Sequence, residues 1–123
     1  MSTIYHITSR SIAQAAKQAG EYRSESLVTD GIIHFSQLHQ LLGVANAFYA
    51  GQKDLVILVV DSSLLKAELR YEAPVHPGNT AGATVSSTDQ RFPHLYGPLN
   101  FEAVIKIVDL PLPTGGSFNL PAL

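Results

Sequence analysis

Cysteine is absent from the 123 residues. Disulfides, thiol catalysis and cysteine-based zinc sites are therefore excluded together. Charge is scarce as well: charged residues make up 15% of the chain, the net charge is −2, and only eight residues are Lys or Arg. So thin a basic complement cannot lay down the phosphate-neutralising footprint of a nucleic-acid binder, and nucleic acid is not expected as a partner. Long hydrophobic runs are missing too. The longest is Leu55 to Val60, which is too short to cross a bilayer and suits a buried strand. Met1 to His6 lacks the basic region and apolar stretch of a secretory signal. No membrane partner is expected, and a cytoplasmic location is. The glycines match neither a dinucleotide fingerprint nor a phosphate loop, and no Gly-x-Ser-x-Gly elbow exists.

Apolar residues are plentiful, at 46%. Surface scaling for a chain of this size buries about two-thirds of the unfolded area, enough for a core without staples. The length suits a single domain, over residues 1–110. Residues 111–123 form a tail with Pro111, Pro113, Gly115, Gly116 and Pro121, where little regular structure is expected. Pro74 to Thr88, rich in Gly, Thr and Ser, reads as a loop. Five histidines are the unusual polar content of so short a chain.

The periodicities predict the following order. Thr3 to Thr8 is a strand with Ile4, His6 and Thr8 on one face and Tyr5 and Ile7 on the other. Ser9 caps a helix whose apolar positions are Ile12, Ala15, Ala16 and Ala19, and Gly20 stops it. Ile32 to Ser36 is a second strand that sends His34 and Ser36 to one side. Ser36 is also placed to cap a helix with Leu38, Leu41, Leu42, Ala45, Phe48 and Tyr49 along one stripe. Leu55 to Val60 is apolar on both faces, as a central strand requires. Asp61 to Ser63 opens a short turn. Ala67 to Glu72 alternates, with Ala67, Leu69 and Tyr71 inward and Glu68, Arg70 and Glu72 outward. Arg91 to Pro98 reads as a compact, proline-flanked turn, and Phe101 to Asp109 as the last strand, with Phe101, Ala103, Ile105 and Ile107 on one face. Two early helices followed mainly by strands, with no steady alternation, indicate an α+β fold.

Three groups of residues carry candidate chemistry. His6 with Thr8, and His34 with Ser36, each share a strand face. A cleft between those faces would gather two imidazoles and two hydroxyls, donors and acceptors suited to a polyhydroxylated ligand. The competing reading is that both are satisfied core or edge residues. His94, beside Tyr96, would be held in a stiff turn, or would merely cover the core edge. Arg70 between Glu68 and Glu72 is either an anion-binding group or part of a solvent-facing charge ladder. His39 and His76 read as incidental. His6, His34 and His94 show neither a His-x-x-x-His pair nor a nearby carboxylate in sequence, so no metal is expected.

Tyr5-His6-Ile7-Thr8, Gly20-Glu21-Tyr22-Arg23, Ser26-Leu27, Gly31-Ile32-Ile33-His34-Phe35-Ser36 and Phe92-Pro93-His94-Leu95-Tyr96-Gly97-Pro98-Leu99 occur in that order. Together they resemble a small bacterial family known only as domain of unknown function 952, from about Ile4 to Asp109. That family is similar in fold to the ADP-ribosyltransferases. The resemblance therefore implies a split, bent β-structure with two N-terminal helices. By analogy with the RNA 2′-phosphotransferases of that superfamily, His6-x-Thr8 and His34-x-Ser36 match two strand motifs of an NAD cleft. His6 would then meet the nicotinamide ribose or amide, and His34 and Ser36 would line the same pocket. Those enzymes place an Arg directly before the first His, where this chain has Tyr5, so an RNA phosphate substrate is not implied. No Gln-x-Glu or Glu-x-Glu pair stands in the last strand.

The expectation is thus an NAD-dependent transferase, or a non-catalytic small-ligand or protein-binding module with the same pocket. In the first case His6, His34 and His94 are the catalytic candidates. Thr8, Ser36, Arg70 and Tyr96 are the ligand-binding ones, NAD serves as substrate, and a small nucleotide is the partner. His94 is then the best general acid or base, because an imidazole titrates near neutrality.

Overall fold

A computed structural model describes residues 2–73, 91–112, 115 and 117–123. The Pro74 to Thr88 loop, His76, and Pro113 and Gly116 of the tail lie outside the described residues.

The central strand is β4 (Leu55–Asp61), flanked by β1 (Thr3–Ser9) and β8 (Val104–Leu110) in an antiparallel sheet. Its β-branched run is buried on both faces, as a strand with cover on each side must be. Period two divides it between two cores. Val56, Leu58 and Val60 join Ile4, Ile33, Phe35 and Leu95 in one. Leu55, Ile57 and Val59 join Tyr5, Ile7, Leu41 and Ala45 in the other. The first lies under α1 (Arg10–Ala19) and the second under α3 (Leu38–Phe48).

A second sheet has the order β3 (Ile33–His34), β6 (Phe92–Leu95), β5 (Leu69–Glu72). A third pairs β2 (Glu21–Tyr22) with β7 (Leu99–Asn100). The first and second sheets are joined by one reciprocal backbone bridge: Tyr5 N–H donates to the Ser36 carbonyl at 2.9 Å and Ser36 N–H to the Tyr5 carbonyl at 2.7 Å. The fold is α+β with antiparallel sheets.

Local signals account for the helix ends. Ser9 Oγ accepts from Ile12 N–H at 3.2 Å, and Gly20 closes α1 in the left-handed region at φ 85°. The buried face of α1 is Ala13 and Ala16, however, and Ile12 is 50% exposed. Small alanines let the helix lie close to the sheet, so the face is chosen by approach distance rather than by apolar size. α3 is capped by Gln37, whose N–H donates to Gln40 Oε1 at 2.9 Å, and not by Ser36. Ser36 is already held in the bridge to Tyr5. A third helix, α2 (Glu25–Asp30), runs between the Ser24 cap and Gly31 at φ 79°. Its six residues are too few to show an apolar stripe.

The largest departure from the sequence reading lies at Arg91 to Pro98. Phe92 to Leu95 is no turn but the middle strand of the second sheet. Pro93 lacks an N–H yet still serves the ladder, because its carbonyl accepts from Phe35 N–H at 2.9 Å. Tyr71 is exposed rather than inward. The last strand starts at Val104, after a 3₁₀ turn over Phe101–Ala103. Ile105 and Ile107 share a face of β8 that is left exposed. Among the described residues no helix is long and apolar enough to cross a membrane.

The described tail residues carry no helix or strand. They are nevertheless docked. Phe118 is 2% exposed in the second core, and its N–H donates to Asn46 Oδ1 at 2.7 Å. Replacing Phe118 by Ala should cost about 3 kcal/mol, read as a lower urea midpoint with an unchanged slope. Gly97→Ala should cost roughly 1–3 kcal/mol by overpacking, because a Cβ there would stand 2.8 Å from that of Ala67.

Candidate functional site

Beyond the Tyr5–Ser36 bridge the two sheets part, and a cavity of about 580 Å³ opens beside β1. That volume lies within the range of small-molecule pockets. Its walls come from β1, β3, β6, the C-terminal part of α3 and the start of α2. Phe35, Phe92, Phe48, Ile12 and Leu55 give it an apolar lining; His6, Thr8, Tyr22, His34, Ser36 and His94 give it polar groups. Ile12, left outside the core by α1, thus has a place on this wall. None of the lining residues is Lys or Arg, and Glu25 supplies a carboxylate.

His6 sits at the seam between the sheets. Its Nδ1 is 2.6 Å from the His34 carbonyl, and its Nε2 is 2.7 Å from the Tyr22 hydroxyl. A carbonyl only accepts, so Nδ1 carries the proton and Nε2 accepts from Tyr22. The Tyr22 hydroxyl in turn bonds the Thr8 side chain. Burial of both rings sets their proton affinities. It lowers the His6 pKa to about 4, against a smaller opposing effect of the bond to the His34 carbonyl. It pushes the Tyr22 phenol up. Both therefore stay neutral near pH 7, and His6 acts there as a hydrogen-bonded strut whose two nitrogens are engaged.

A second network runs across the polar face of the β3–β6–β5 sheet. His34 pairs with His94 and His94 with Arg70 in register, so the three side chains share one face. The His34 and His94 rings meet edge to face at 5.2 Å. Asp30 Oδ2 lies 3.6 Å from His34 Nε2. His94 is 1% exposed, with Nδ1 2.9 Å from Glu72 Oε1. The Tyr96 hydroxyl donates to that same oxygen at 2.6 Å. The bond from Tyr96, then that from His94, holds the Glu72 carboxyl below its ordinary range. The Arg70 guanidinium stacks 4.8 Å from the centre of the Tyr96 ring and also bonds Glu68 at 2.7 Å.

Five of the candidate residues thus line one cavity: His6, Thr8, His34, Ser36 and His94. Arg70 and Tyr96 do not line it; Tyr96 borders a separate depression with Asp30, Ile32, Glu72 and Ala73. His94 stands in a central strand, not in a turn. Sequence reading missed Tyr22, Glu25 and Glu72. Tyr22 and Glu25 lie in segments too short for a periodic signal. Glu72 was visible only as one step of an alternating charge pattern. Among the described residues no three His, Asp or Glu side chains converge as a metal ion would require.

A family model for proteins of unknown function, DUF952, matches residues 7–107. The chain belongs to the DUF952 family. It is similar to the crystal structure of protein CC0527 from Caulobacter crescentus, with 34% identity and a TM-score of 0.78 over 96% of this chain and 94% of that one. The solution structure of CC0527 is 36% identical with a TM-score of 0.72, covering 95% and 91% of the two chains. No functionally curated protein matches the chain. The family match ends before the tail, yet in this DUF952 chain Phe118 still fills the second core.

The buried His6 gives a pH signature. The unfolded chain takes up a proton near 6.5 and the folded chain only near 4. Its neutral burial is therefore without penalty above pH 6.5, and stability falls as pH drops from 6.5 towards 4. The loss amounts to about 3 kcal/mol by linkage. A series of urea midpoints should show this slope, and His6→Gln, which has no imidazole to titrate, should flatten it.

Proposed function

We propose that the protein binds NAD or another ADP-ribose-bearing nucleotide and acts at the nicotinamide ribose, with the ADP-ribosyltransferase-like architecture that such a cleft implies. The observation that carries this reading is the gathering of His34, His94 and the Thr8 and Ser36 hydroxyls around a single cavity, in whose wall His6 and Tyr22 are bonded to one another. Hydroxyls and imidazoles answer the donors and acceptors of a ribose. The Phe35, Phe48 and Phe92 rings offer apolar cover for an aromatic base. Breaking the bond between ribose and nicotinamide builds positive charge on the sugar. Groups fixed in advance around the ring favour that charge without reorganising. Glu25 is the carboxylate on this wall, and His94 is the group suited to take a proton from an attacking hydroxyl.

A second reading is favoured by a specific observation. None of the eight Lys and Arg residues lines the cavity, so nothing there is matched to a pyrophosphate. A non-catalytic module for a small, uncharged polyhydroxylated ligand would need no such group.

Turnover separates the two. With millimolar NAD, the first reading expects a thermal shift, amide perturbations at His6 and His34, and nicotinamide release measured by chromatography. His94→Ala should lower release by roughly 100-fold or more while the chain stays folded. Binding without release supports the module, and the absence of any shift or perturbation overturns the NAD reading.

A further inference from the structure

We infer that Glu72 is a positioning residue that holds His94 in one tautomer, with the proton on Nδ1 and the lone pair of Nε2 left for the cavity. This inference rests on the functional reading above only for the reaction it serves. The tautomer itself follows from geometry. His94 is almost wholly buried on the middle strand of its sheet, so its ring is held by packing on both sides. Among the described residues its Nδ1 meets Glu72 Oε1, at 2.9 Å. A carboxylate accepts and does not donate, so a neutral His94 must carry its proton on Nδ1.

Glu72 is itself fixed. The Tyr96 hydroxyl donates to the same Oε1 at 2.6 Å, so the carboxylate cannot turn away without breaking two bonds. Arg70 lies across the Tyr96 ring and keeps a positive charge near the carboxylate, which favours its ionised form. His94 lines the cavity, whereas Glu72, on the same sheet face, does not line it and borders the separate depression with Tyr96. The pair therefore links the two, with the imidazole at the cavity. The Glu68-Arg70-Glu72 pattern, which reads in sequence as a solvent-facing ladder, holds one residue of a different kind: Glu72 is half-buried and turned towards His94.

In the proposed transfer the step balances as follows. The hydroxyl of an acceptor alcohol or water gives its proton to His94 Nε2. Its oxygen forms a bond to C1′ of the nicotinamide ribose. The bond from C1′ to the nicotinamide nitrogen breaks, and its electron pair leaves on that nitrogen. Glu72 does not take the proton; it stabilises the imidazolium and keeps the receiving nitrogen aimed at the cavity.

Long-range ¹⁵N–¹H correlation spectra of histidine-labelled protein above pH 7.5 read the tautomer directly. The wild type should show His94 protonated on Nδ1. Protonation on Nε2 overturns the inference without any variant. Glu72→Leu, which removes the acceptor at Nδ1, should release that proton and populate the Nε2-protonated form. An unchanged tautomer in a folded Glu72→Leu protein overturns it too. Tyr96→Phe, which keeps the carboxylate, should retain the wild-type tautomer. In the nicotinamide-release assay Glu72→Leu should lower kcat by about 100-fold or more with KM little changed. A raised KM with kcat intact would mean that Glu72 serves ground-state binding, and would also overturn the positioning role. Absent release by the wild type would count against the NAD reading alone, and the spectra would still decide the tautomer.

Discussion

The reciprocal backbone bridge between Tyr5 and Ser36 is the constraint on which the rest of the site depends. It ties the edge of the sheet carrying β1 to the end of β3 at a single point. A longer ladder would zip the two sheets together and leave no cavity; no bridge at all would let them separate. Two bonds hold the sheets near enough for the His6 ring to reach the His34 carbonyl, and far enough apart beyond that point for a ligand-sized space to open. Each of those bonds satisfies a strand-edge group that would otherwise need water or another partner.

Two cores back this arrangement from either side of β4. Alternation along β1 sends Ile4 into one and Tyr5 and Ile7 into the other, while His6 and Thr8 share the Ile4 face. The polar side chains are thus carried on a rigid strand rather than on loops, which limits the positional scatter of the groups facing the cavity. The tail adds cover to the second core through Phe118 and Leu123, so the irregular end of the chain contributes packing to the sheet that bears His6.

Much of the fold was legible in sequence wherever the governing interaction is local. The period of β1, the doubly apolar run of β4, the Ser9 cap and the Gly20 stop depend on neighbours within one turn or one strand. Reading failed where a distant partner overrode a local signal. Pro93 and Gly97 marked a turn, but Phe35 and the strands on either side made Phe92–Leu95 a central strand. Ile12 is the largest apolar residue of α1, but the sheet accepts the small face of Ala13 and Ala16. Ser36 could cap α3 by type, but its bridge to Tyr5 fixes it one residue before the cap position, which Gln37 fills.

By itself the sequence determined that His6 and Thr8 share one strand face, and that His34 and Ser36 share another, because alternation follows from backbone geometry alone. It also determined that cysteine chemistry and a broad cationic surface are not available to this protein. The tertiary structure alone decided what each imidazole can do. His6 has both nitrogens engaged, by the His34 carbonyl and the Tyr22 hydroxyl. His94 has one nitrogen held by a carboxylate on the neighbouring strand. The reason is physical: a ring nitrogen's role is set by the group within hydrogen-bond reach, and these groups lie from 16 to 28 residues away along the chain.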